Sequence, residues 1–93
     1  MNGLKLNETQ WLAIQPFNKR LRLIVYNNGM EEVCRKEYTR NLRRFLLDDE
    51  PRLFKGRLQL LRGDLGINVM VKGCLIGTID AENLLNYLGA VSC

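Results

Sequence analysis

Histidine is missing from this chain altogether. Its absence removes the Ser-His-Asp and Cys-His nucleophile systems and every His-ligated zinc site, together with the side chain that titrates most readily near neutral pH. Any catalysis would have to be built from Asp, Glu, Lys, Arg, Tyr or Cys, so the sequence reads as non-enzymatic, with no cofactor called for. Cysteine is scarce. Cys34, Cys74 and Cys93 are odd in number and too scattered for a metal motif. They are expected to be reduced, Cys34 and Cys74 as small strand residues and Cys93 as a mobile terminal one. A Cys34–Cys74 bridge is the alternative, and needs Cα atoms within about 7 Å. No apolar run approaches the roughly 18 residues of a membrane span, so no membrane partner is expected. The opening "MNGLKLNETQ" carries one lysine and no apolar signal-peptide core, which points to the cytoplasm.

What remains is 93 residues with 46% apolar content, the composition of one small globular domain, 1–93. The formal charge of +4 is unevenly spread: nine basic residues stand against four acidic ones between Val33 and Arg62. An acidic partner would meet that middle third.

Local patterns predict an α+β domain with an antiparallel sheet of about four strands, in the order α-ββ-α-ββ-α. "LNETQWLAIQP" reads as a first helix, with Asn7 as N-cap, Gln10 closing a capping box, Leu6 and Trp11 as a staple, and Pro16 as the stop. An extended strand through Trp11 and Phe17 is its rival. "RLRLIVYNNGMEEVCRKEY" is a hairpin around Asn-Gly, its return strand Met30–Tyr38 a polar edge. Thr39 caps a helix with Tyr38, Leu42, Phe45 and Leu46 on one side and Arg40, Arg43, Arg44 and Leu47 on the other. Pro51 ends it. Leu58–Leu60 and Ile67–Val71 alternate as strands. Lys72-Gly73 turns into "CLIGTI", where Gly77 signals a bulge or close packing. Asp80 caps a last helix with a stripe of Ala81, Leu84, Leu85 and Leu88, and Gly89 stands as its C′ residue. "RLRLIVY" against "RLQLLRG", and "LRRFLL" against "LLNYLG", give a ββα pseudo-repeat.

The binding surface predicted from these patterns is the basic helix with its adjoining strand: Arg35, Lys36, Arg40, Arg43, Arg44, Leu47 and Arg52. Guanidinium forks suit carboxylates and phosphates alike. The partner is expected to be an acidic protein surface, because Trp11, Phe17, Phe45 and Tyr87 read as core or core-edge and leave few rings for stacking bases. Only Tyr26, Tyr38 and Phe54 are candidates for exposure. The alternatives are a nucleic acid held by the same arginines, a homodimer paired through edge strand Met30–Tyr38, and a metal-free ribonuclease using Arg57, Arg62 and Tyr38. "DDE" at Asp48–Glu50 reads as a polar helix end rather than a metal site.

Two stretches resemble known families. "LQLLRGDLGINVMVKGCLIGTIDAENLLNYL", a third of the chain, is similar to the closing part of HIRAN domains. It lacks their Asn/Asp-rich loop, so DNA-end binding is not carried over. "LLRGD" before an apolar strand resembles small basic messenger-RNA-cleaving toxins, with Leu65-Gly66 where those have a basic residue.

Overall fold

Strand Gln10–Phe17, not a helix, occupies the stretch before Pro16. The computed structural model describes residues 3–92; the expectations for Cys93 lie outside them. In chain order the elements are β1 (Leu4–Lys5), β2 (Gln10–Phe17), β3 (Arg20–Asn27), β4 (Met30–Glu37) and α1 (Thr39–Leu47). There follow β5 (Arg52–Leu53), β6 (Leu58–Gly63), β7 (Gly66–Val71), β8 (Cys74–Ile79) and α2 (Ala81–Ser92). Strands β1 to β4 form one antiparallel sheet and β5 to β8 another, each in sequential order. The chain is thus α+β, but with two sheets and the order ββββα-ββββα. The sequence match of "RLRLIVY" to "RLQLLRG" set β3 against β6, which hold different places in their sheets.

The first helix fails because its cap chemistry serves a turn equally well. Asn7 Oδ1 accepts the N–H groups of Thr9 at 3.0 Å and Gln10 at 3.1 Å, and the chain then runs extended. Pro16 lies opposite Leu21, one residue inside the closing pair Phe17–Arg20. A closing pair exchanges both ladder bonds, so the nitrogen of Pro16 faces away from β3. On that side the short β1 has already ended, as an edge proline requires. Two residues earlier, the Ile14 N–H has the same outward direction and donates to Tyr87 Oη at 3.1 Å.

The Asn-Gly hairpin forms as expected, with Asn28 at φ 52° and Gly29 at φ 83°. Helix α1 also has the expected span, but Tyr38, not Thr39, is its N-cap, without a side-chain cap bond. Instead the Glu37 carboxylate accepts the Tyr38 N–H at 2.8 Å and the Asn41 amide at 2.9 Å. Gly89 lies within α2 rather than beyond it.

One hydrophobic cluster draws on both sheets and both helices. Phe45 and Leu42 from α1, Leu84 and Leu88 from α2, and Leu12, Leu23, Leu60 and Ile67 from the sheets are all fully buried. Two polar seams complete the packing. The loop after β1 crosses to β8: Asn7 Nδ2 donates to the Ile76 carbonyl at 2.8 Å. A Cβ on Gly77 would meet the Leu6 oxygen at 2.7 Å, so the expected close packing there is real. Reciprocally, Arg35 of β4 donates to the Lys55 carbonyl at 3.0 Å in the loop after β5. Cys34 and Cys74 are free and exposed on the last strands of different sheets.

Arg62 ties β6 to α1. Its guanidinium donates to the Glu50 carbonyl at 3.1 Å, to Phe45 O, and to Leu46 O at 3.4 Å. Asp49 lies 3.6 Å away. The Phe45 and Leu46 carbonyls are orphans of the helix end, and the cation also suits that end of the dipole. Arg62→Ala is expected to cost about 2–3 kcal/mol, the range for charge-assisted bonds, and to lower Tm by roughly 10–20 °C in a thermal melt. Arg62→Lys should recover less than half, because an ammonium lacks the fork. Gly77→Ala should destabilise by about 1–3 kcal/mol through overpacking. Gly89→Ala, whose Cβ would meet nothing within 4 Å, should add about 0.5–1 kcal/mol. Denaturant titration reads both.

Candidate nucleic-acid interface

Helix α1 divides its faces as the spacing demands. Leu42, Phe45 and Leu46 are buried, while Arg40, Arg43 and Arg44 are exposed and Leu47 is 58% exposed. Among the described residues the ion pairs are Arg22–Glu31 and Arg62–Asp49, so no α1 arginine is neutralised within the molecule. Tyr38, set beside Leu42 by helical spacing but also a candidate for exposure, is 40% exposed, because it precedes the helix with φ −73° and ψ 141° and continues the strand direction of β4.

That extended residue brings together groups the sequence kept apart. Phe17 closes β2 and is 39% exposed, since Leu12 and Ile14 take the core face and alternation sends Phe17 to the other. Lys36 Nζ stands 4.4 Å from the Phe17 ring centroid. The Arg20 guanidinium lies 4.8 Å from the Tyr38 ring and donates to its Oη at 3.2 Å. Arg40 reaches the same ring at 5.2 Å. Phe17, Asn18, Lys19, Arg20, Lys36 and Tyr38 line an open groove of about 720 Å³. It holds three cations, two rings and no carboxylate. Glu37, the nearest acid in sequence, is occupied by the start of α1.

The expected site therefore divides. Lys36 and Arg40 join this groove. Arg35 and Arg52 line a separate depression with Glu37, Phe54 and Lys55, where Arg35 sits 5.2 Å over the Phe54 ring. Phe54, proposed as an exposed ring, is 8% exposed. Arg43, Arg44 and Leu47 stay on the outward face of α1. Phe17 was expected at the core or its edge, behind a helix stopped at Pro16, and Lys19 and Arg20 went unrecognised with it. Strand alternation from Leu12 would have turned Phe17 outward.

Of the residues named for a ribonuclease, Arg62 bonds to the α1 carbonyls and the Tyr38 hydroxyl to Arg20. Among the described residues no three Asp, Glu or Cys side chains gather as metal ligands would, and no helix is long and apolar enough to cross a membrane. Comparison with protein-family models, curated proteins and solved structures finds no match to this chain. The resemblances to HIRAN domains and to messenger-RNA-cleaving toxins accordingly carry no further weight.

Because the groove side chains are exposed, truncating them should spare the fold. Phe17→Ala and Arg40→Ala are each expected to change stability by about 0.5 kcal/mol or less, leaving Tm within roughly 4 °C of the parent in a thermal melt.

Proposed function

We propose that this chain is a non-enzymatic module that binds single-stranded nucleic acid at the basic end of its first sheet. The observation that carries this is the pair of solvent-facing rings, Phe17 and Tyr38, set among Lys19, Arg20, Lys36 and Arg40 with no acid between them. The preference for an acidic protein rested on a shortage of such rings. Base–aromatic stacking is worth about 1–3 kcal/mol per base, more than the roughly 0.5–1 kcal/mol of an exposed cation–π contact. A base can therefore displace the cation from the ring, and the freed cation can pair with the adjoining phosphate.

The molecule supplies its own comparison. We read the two ββββα halves as tandem units. The hairpin and helix start that carry Phe17, Lys19, Arg20, Lys36, Tyr38 and Arg40 in the first half carry Gly63, Leu65, Gly66, Thr78, Asp80 and Glu82 in the second. The same junction is thus built without a ring or a cation, so the fold does not require the basic, aromatic set. Capture of an acidic protein by Arg43, Arg44 and Leu47 is the alternative.

Fluorescence anisotropy with labelled 12-mers of dT and U tests the proposal. If about four phosphates are neutralised, affinity should fall about 50-fold between 50 and 200 mM salt. Phe17→Ala and Tyr38→Ala should each weaken binding by roughly 5- to 150-fold. Absence of binding at about 50 mM salt, where such contacts are strong, would overturn it. So would full binding by both ring variants, which would return the arginines to the protein-binding reading.

A further inference from the structure

The groove is one end of a longer face. The ladder of the first sheet places Phe17 beside Arg20, then Gln15 beside Arg22 and Lys36, then Ala13 beside Ile24 and Cys34, and finally Trp11 beside Tyr26. All have the parity opposite to core residues Leu12, Ile14, Leu23 and Val25, so they share the outward face. Lys5 pairs with Trp11 from β1 and adds a cation at the far end. Trp11 and Tyr26 are both partly exposed and outside the core cluster. The face therefore has a ring pair at each end, with cations Arg20, Arg22, Lys36 and Lys5 along it.

We infer that a single polynucleotide strand runs along this face, stacking on Phe17 and Tyr38 at one end and on Trp11 and Tyr26 at the other. The inference rests on the nucleic-acid reading above and extends it to a defined track and length. Six residue steps along the strand separate Phe17 from Trp11, a distance of about 20 Å. That suits a short oligonucleotide in the roughly 4–16-nucleotide range of such sites. Between the ring pairs Arg22 bonds to Glu31, and this hydrogen bond, followed by one to Cys34, holds the Arg22 pKa above its ordinary value. Midway between the ring pairs, Ala13 and Ile24 are buried although they face outward. The outward face of the second sheet makes a contrast: Leu61, Asn68, Met70, Leu75 and Thr78 carry neither ring nor charge, and Arg52 opposite Leu61 adds a single cation.

Trp11 is the sole tryptophan, so its emission reports on the far end directly. Wild-type protein is titrated with 3-mers and 8-mers of dT and of U, each end-labelled so that anisotropy measures occupancy. The 8-mers should quench Trp11 and bind at least tenfold more tightly than the 3-mers, which can engage only one ring pair at a time. Cys34→Glu, an exposed position midway along the track, should weaken the 8-mers at least fivefold while sparing the 3-mers. Trp11 emission unmoved at saturation by 8-mers, or equal affinity for both lengths, would overturn the track while leaving the Phe17–Tyr38 site intact. No binding of either length would overturn both. RNA against DNA preference appears as the ratio of the U and dT arms.

Discussion

A guanidinium closing a helix end holds this molecule in register. Helix α1 has nine residues, too short to be stable alone. Its C-terminal side is crowded with Asp48, Asp49 and Glu50, carboxylates that the helix dipole repels. Arg62 reverses that local imbalance. It offers donors to three carbonyls around the helix end, sets a cation beside Asp49, and lies 5.2 Å from the ring of buried Phe45. Because Arg62 belongs to β6, the contact fixes the first half's helix against the second half's sheet. The outward direction of Arg40, Arg43 and Arg44 follows, since Leu42, Phe45 and Leu46 must face the core that this contact encloses.

The two sheets depend on each other through their edges as well. A last strand left bare would present unpaired backbone groups. Here the β8 carbonyl of Ile76 receives Asn7 from the first half, and the Arg35 side chain of β4 reaches across to the Lys55 carbonyl of the second. The exchange also explains Gly77: it lets the backbone of Leu6 approach within a distance no Cβ tolerates. Each half also has a backbone bond of its own, Asn28 N–H to Thr9 O at 2.8 Å and Lys72 N–H to Arg57 O at 2.7 Å. Each anchors the turn after the third strand to the loop before the second.

Where a local rule had one physical solution, the sequence was legible. Asn28-Gly29 supplies positive φ at both turn positions, and α1 is fixed by its apolar spacing. Residues 7–17 misled because Asn7 can bond two successive N–H groups ahead of either a helix or a strand. Misreading them hid Phe17, and with it the groove. The division into two sheets depends on which strands pair, which alternation alone does not encode. In the tandem reading proposed above, no single offset would match the halves. The offset is 44 residues from turn Asn28-Gly29 to turn Lys72-Gly73, and 42 from buried Leu42 to buried Leu84. Strand β4 has eight residues and β8 six. A two-residue loss leaves every side chain on its original face, so the fold tolerates it while a fixed-period comparison does not.

Charge alone would not choose between an acidic protein and a nucleic acid, because either satisfies a guanidinium. The rings alter that balance. While no partner is bound, Lys36 covers Phe17, and Arg20 and Arg40 cover Tyr38, so ring faces and cations satisfy each other. A carboxylate would draw the cations away and leave two aromatic faces in water. A nucleotide takes both at once, its base replacing the cation on the ring and its phosphate receiving the displaced cation. Arg43 and Arg44, farther along α1 and free of ion pairs, would add to the long-range field that brings an anionic strand to the groove. They can attract it without contributing a surface on which a base could stack.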